Sequence, residues 1–131
     1  MKVIYTKNAP EPVGPYSQAI EKNNILYCSG QIAINPETNE FISGTIEEQT
    51  ERVIKNIEAL LKEAGASFKD VIKTTCFLDD MNNFSTFNEI YAKYFISNPA
   101  RSCVQAVLPK GAKVEIEVIA YTKGSSVELM S

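Results

Sequence analysis

The sequence predicts an α+β domain in which two helices cover one face of a sheet. Three observations carry that expectation. Apolar residues recur at helical spacing over residues 46–64 and 84–95. Short β-branched and aromatic runs, bounded by Gly, Pro and Asn, fill most of the rest. The resulting order is strands, helix, strand, helix, strands, and two helices can back only one side of such a sheet.

The elements follow in order. Residues 3–6 predict a short edge strand, and residues 8–15, with three prolines and a glycine, a loop. Residues 16–22 and 25–29 predict two strands about a tight turn at Asn23-Asn24. A further turn falls at Asn35-Pro36-Glu37-Thr38-Asn39. The first helix has apolar positions at Ile46, Val53, Ile54, Ile57, Leu60 and Leu61, a capping box from Thr45 and Glu48, and a stop at Gly65. Residues 71–78 predict a strand. Phe84, Phe87, Tyr91 and Phe95 give the second helix an aromatic face, read as core packing rather than a ligand box. Residues 101–108 and 113–122 predict a final pair of strands turning at Pro109-Lys110-Gly111-Ala112.

Composition narrows the chemistry. With 131 residues the chain is one domain, and residues 125–131 form a tail beyond a unit spanning 1–124. The net charge is −3, with no basic stripe, so a nucleic-acid partner is not expected. No apolar run approaches the roughly 20 residues that span a bilayer, and residues 1–6 lack a signal-peptide core, so a cytoplasmic protein without membrane contact is expected. Cys28, Cys76 and Cys103, odd in number and far apart, predict reduced and mostly buried thiols. The chain has no histidine. That excludes Ser-His and Cys-His nucleophilic pairs and any histidine-bearing metal site, and neither a metal nor a cofactor is expected.

Only two of the thirteen basic side chains are arginine, and Arg101 opens the apolar run Ala100-Arg101-Ser102-Cys103-Val104. A guanidinium fork matches a carboxylate bidentately, as lysine cannot. The same residue at a strand start is also what a surface ion pair would use. In the return strand Glu115 and Glu117 share a face. A hairpin closing at Lys110-Gly111 in even register would set Cys103 opposite Glu115 and Arg101 opposite Glu117, whereas a one-residue slip reverses the facing of the glutamates. The residue pattern also leaves apolar side chains on both faces of the strand expected at 101–108, which predicts further cover from other copies of the chain.

Several ordered segments resemble the RidA family, also called the YjgF or reactive intermediate deaminase family. They are Gly14-Pro15-Tyr16-Ser17-Gln18-Ala19, Ser29-Gly30-Gln31-Ile32, Lys73-Thr74-Thr75-Cys76-Phe77, Pro99-Ala100-Arg101-Ser102-Cys103-Val104 and the stretch from Leu108 to Glu117. The resemblance runs from about residue 4 to residue 122. It implies a fold of the chorismate-mutase type, assembled as a homotrimer around an inner barrel with sites at the subunit junctions. It implies hydrolysis of 2-iminopropanoate and 2-iminobutanoate to 2-keto acids and ammonia. Two alternatives stay open, a regulatory trimer that binds small carboxylates without turnover and the endoribonuclease activity attached to the family. By position the resemblance makes Arg101 the carboxylate binder and Glu115 the residue that handles water. Cys103 lines the site through its carbonyl, Tyr16 stands beside the ligand, and Ser29, Gly30 and Asn88 complete the cleft. It requires no metal, cofactor or covalent nucleophile.

Overall fold

The computed structural model describes residues 1–122; the predicted boundary at 124 and the tail lie outside them. Eight strands and two helices follow the predicted order: β1 (Lys2–Ile4), β2 (Ala19–Lys22), β3 (Ile25–Cys28), β4 (Ile34–Asn35), β5 (Glu40–Phe41), α1 (Ile46–Glu63), β6 (Val71–Leu78), α2 (Phe84–Tyr94), β7 (Ala100–Gln105) and β8 (Val114–Tyr121). Six strands form a mixed sheet in the order β1-β2-β3-β8-β6-β7, and β4 and β5 make a separate small hairpin.

Local chemistry explains the boundaries. Asn23 and Asn24 both take positive φ, 52° and 64°, the turn that matches the twist of β2 and β3. The Thr45 hydroxyl accepts from the Glu48 N–H at 3.1 Å, and the Glu48 carboxylate accepts from the Thr45 N–H at 3.0 Å, so the capping box forms. At the other end of α1, Gly65 sits at φ 78°, and the Ala66 N–H reaches back to the Leu61 carbonyl at 2.8 Å. That Schellman closure needs the left-handed residue that glycine supplies.

The core lies between the helices and one sheet face. Leu26, Cys76, Leu78, Val114, Ile116 and Val118 meet Val53, Ile57 and Leu60 of α1 and Phe87 of α2, all buried. Of the predicted aromatic stripe, Phe87 and Phe95 are fully enclosed, and Tyr91 stacks on Phe95 with centroids 4.4 Å apart. Among the described residues no helix covers the opposite sheet face. Val104, Tyr27 and Tyr121 stand on it, each more than two-fifths exposed.

One predicted connection is wrong. β7 and β8 do not form a hairpin, because β6 lies between them. β7 pairs with β6 in parallel, and β8 pairs with the other side of β6 antiparallel. The cause is α2. A strand, a crossover helix and a second strand lie side by side in parallel, so β6-α2-β7 fills one flank of β6 and leaves the other to β8. The connecting residues step across the end of β6. The Ala106 N–H bonds the Leu78 carbonyl at 2.9 Å, and the Asp79 N–H bonds the Lys113 carbonyl at 3.1 Å. Smaller differences are matters of length. The strand expected at 16–22 begins at Ala19, and that expected at 101–108 ends at Gln105.

Buried polar groups tie the outlying segments to this core. The Asn56 amide, fully buried on α1, donates to the Ile32 and Ile34 carbonyls at 3.3 and 3.0 Å and accepts from Arg52 at 3.0 Å. Replacing Asn56 with leucine strands those groups without partners. We expect a loss of about 1–3 kcal/mol with an unchanged denaturant slope in urea melts, and a loss under about 0.5 kcal/mol would contradict this role.

Candidate functional site

The predicted site residues fall into two groups on opposite faces of the sheet. In β6, Thr74 registers with Arg101 on one side and Val118 on the other, while Phe77 registers with Val104 and Glu115. Because side chains alternate, Arg101 and Cys103 share the helix-covered face with Ile116 and Val118. Glu115 and Glu117 share the open face. The expected approach of Arg101 to the glutamates within one chain therefore does not occur.

The first group is built on α2. Phe84, Asn88 and Tyr91 lie along one helix face at intervals of four and three residues, beside the sheet edge where Arg101 emerges. The guanidinium carbon sits 4.8 Å from the Tyr91 ring centroid and 5.5 Å from that of Phe84. Arg101 Nη1 donates to Asn88 Oδ1 at 2.7 Å. Tyr91 is itself held, its hydroxyl 2.7 Å from Thr74 Oγ1. Among the described residues the partners of Arg101 are thus neutral, and its charge faces no carboxylate. A shallow recess of about 330 Å³ opens here, lined by Asn88, Tyr91, Asn98, Pro99 and Arg101. Cys103 is half-buried nearby, and burial pushes its thiol up, opposed by the Arg101 charge, so it is held as a weakly reactive thiol. Burial likewise pushes Cys28 and Cys76 up to about 12.

The second group lines a cleft of about 560 Å³ that includes Tyr16, Ser29, Gly30, Glu115 and Glu117. Gln31 and Ile116 exchange backbone hydrogen bonds at 2.9 and 3.2 Å, which pins the Ser29-Gly30-Gln31 segment alongside β8. The Ser29 hydroxyl donates to the Ser17 carbonyl at 2.6 Å and fixes the neighbouring strand end. Glu115 folds over Gly30 so closely that an added Cβ would lie 2.1 Å from Oε2 and 2.9 Å from Cδ. The glycine is required by the carboxylate, not by a turn. Burial first, then the Glu117 carboxylate, raise Glu115 above the ordinary carboxylate range. The cleft wall carries Glu11, Glu115 and Glu117 against one cation, Lys110.

Several contributors escaped the sequence reading. Phe84 and Tyr91 form the seat of Arg101, and their spacing from Asn88 on α2 was the available signal. The Gln31–Ile116 bridge had none, since an isolated backbone pairing leaves no side-chain pattern. Among the described residues no group of three acidic or sulfur side chains gathers in metal-binding geometry, and no helix is long and apolar enough to cross a membrane.

A family model described as Endoribonuclease L-PSP matches residues 6–122. A RutC family protein of Pyrococcus abyssi is 53% identical over 122 residues, covering 92% of this chain and 96% of its own. Human 2-iminobutanoate/2-iminopropanoate deaminase is 47% identical over 121 residues, covering 91% and 88%. The crystal structure of a Yersinia pestis protein of the conserved Rid family superposes with a TM-score of 0.89 at 55% identity, covering 92% of this chain and 98% of that one.

Gly30→Ala isolates the carboxylate from the fold. The added methyl displaces only the flexible end of Glu115, so stability should change by less than about 1 kcal/mol. The Glu115 pKa should fall towards the ordinary carboxylate value as the group swings into water. Carboxyl NMR titration reads this directly, and an unshifted Glu115 would show that Gly30 does not set its position.

Proposed function

The chain belongs to the reactive intermediate deaminase (RidA) family, and from that premise we propose that it hydrolyses 2-imino acids such as 2-iminopropanoate and 2-iminobutanoate to 2-keto acids and ammonia. The observation that carries the proposal is the unspent charge of Arg101. A guanidinium fork seated on two aromatic rings and one amide, with no carboxylate partner among the described residues, is pre-organised for a small anionic ligand.

The second half of the chemistry lies in the cleft over Gly30. A protonated imine carbon is electrophilic and needs one directed water. Glu115, raised by its surroundings, takes a proton from that water as oxygen bonds to carbon. The proton returns to the nitrogen of the resulting carbinolamine, ammonia leaves as the C=O bond forms, and Glu115 takes up the hydroxyl proton, leaving the keto acid. Oxygen is gained from water, nitrogen leaves, and no electrons are transferred.

The two halves point away from each other in one chain, so the site forms where the Arg101 recess of one copy meets the Glu115 cleft of the next. The uncovered sheet face, carrying Val104, Tyr27 and Tyr121, supports such an assembly, and a closed ring of three is the arrangement the family suggests. Each junction would then hold one cation beside one acidic cleft. Cys103 contributes its backbone at that junction, and Tyr16 and Ser29 the ligand-facing polar groups. Three free thiols, two of them fully buried, suit a reducing cytoplasm. The ribonuclease reading carried by the family description fits less well, because a polyanion would meet Glu11, Glu115 and Glu117 in the cleft.

Arg101→Ala should lower kcat/KM for enzymatically generated 2-iminobutanoate by about a hundredfold while the oligomer persists. Keto-acid binding by the native protein with no rate acceleration would instead favour a non-catalytic carboxylate sensor. Co-assembling Arg101→Ala with Glu115→Gln, each inactive alone, should rebuild one junction in most trimers. About a quarter of the native rate then returns; no recovery would place both residues in one chain's site. Glu117→Gln removes a charge that lifts Glu115. The acid limb of kcat/KM should therefore move to lower pH, and an unmoved or raised limb would exclude Glu115 as the base.

A further inference from the structure

Gln18 stands in the Gly14-Pro15-Tyr16-Ser17-Gln18 segment, yet nothing in the chemistry above uses it. Its side chain is 2% exposed and fully committed. Oε1 accepts from the Thr6 N–H at 2.9 Å, and Nε2 lies 3.0, 3.2 and 2.9 Å from the carbonyls of Thr6, Ala9 and Pro10. Its backbone carbonyl accepts from the Ser29 N–H at 2.9 Å. The buried side-chain amide thus closes residues 6–18 into a ring, and the Gln18 main chain ties that ring to the strand end beside Gly30.

The ring is one wall of the Glu115 cleft, to which it contributes Pro10, Glu11, Val13 and Tyr16. Residues 7–18 contain no helix or strand, so no ladder of hydrogen bonds holds them. Val13 is 76% exposed and Tyr16 52% exposed, so packing does not hold the wall tip either. A second, outer anchor exists: the Glu11 N–H donates to Asn39 Oδ1 at 3.2 Å. Asn39 belongs to the turn of the β4–β5 hairpin, at φ 61°.

We propose that Gln18 is a positioning residue that clamps the 6–18 wall against the cleft, with Asn39 as its outer counterpart, and so sets how tightly the substrate is held. The proposal rests on the imine-hydrolase reading of that cleft. Neither side chain acts on the reacting atoms. Arg101, Glu115 and Gly30 lie on other segments and stay in place when the wall loosens. Loss of the clamp therefore weakens ground state and transition state alike, which raises KM and spares kcat.

The test uses the full chain and 2-iminobutanoate generated in situ, with 2-ketobutanoate binding followed by NMR. Gln18→Met preserves length and volume but removes every hydrogen bond of the side chain. It should raise KM, and the Kd for 2-ketobutanoate, about tenfold, with kcat within about threefold. Gln18→Glu keeps the acceptor for Thr6 but sets a carboxylate against three carbonyls, and should not rescue. Asn39→Gly retains the left-handed turn and removes only the outer anchor, with an expected rise in KM of about threefold. It is exposed and decides the matter even where Gln18→Met fails to fold. Variants that fold, melt lower and keep native KM and Kd would show that Gln18 serves stability alone and overturn the proposal. A native protein that neither turns over the imine nor binds the keto acid would instead overturn the reading on which the proposal rests.

Discussion

Strand β6 stands between β7 and β8, and that placement fixes the character of the site. Residues that register through one strand share a face, and the pleat alternates every residue. Arg101 registers with Thr74 and Val118, while Glu115 registers with Phe77 and Val104. The guanidinium and the carboxylate therefore leave the sheet on opposite sides. A reaction that uses both is therefore proposed to draw them from two copies of the chain. The fold completes its core alone but presents its chemistry as two halves.

The halves differ in electrostatic design. Arg101 rests on the faces of Tyr91 and Phe84 and against Asn88. Ring faces and an amide oxygen stabilise a cation without neutralising it, so its full charge remains for an incoming anion. The cleft over Gly30 is acidic, and its own glutamates oppose the ionisation of Glu115. Each half is poorly compensated by itself. In the proposed junction, around a ligand that carries one carboxylate and one protonated imine, each would supply the sign the other lacks.

Much of this was legible in the residues. Helical spacing gave α1 and α2, the Thr45–Glu48 pair gave a cap, and Asn23-Asn24 gave a turn, because each is a local signal with one physical solution. The pairing of β7 was not legible from Pro109-Lys110-Gly111, which invites a hairpin. The opposing cue was the helix between β6 and β7, which calls for a parallel neighbour. Once that neighbour is inserted, the facing of Arg101 relative to Glu115 reverses. The seat of Arg101 could have been read from Phe84, Asn88 and Tyr91 on one helix face. The closeness of Glu115 to Gly30 could not, since it depends on a backbone bridge between segments more than eighty residues apart.

The proposed division of the site between copies would also account for the rigidity of each part. A ligand held at both ends inherits the positional errors of both, and a displacement near 1 Å can cost a hundredfold in rate. Each half is accordingly fixed by groups that take no part in chemistry. Thr74 anchors the Tyr91 ring beneath Arg101. The Gln31–Ile116 bridge holds Gly30 under Glu115, and Asn56 holds the Ile32–Ile34 wall to α1. These supports use buried hydrogen bonds rather than salt bridges. That choice fits the proposed site, which would keep one positive and one negative charge unspent until a ligand arrives, since any structural ion pair with either would cancel the charge the ligand is meant to meet.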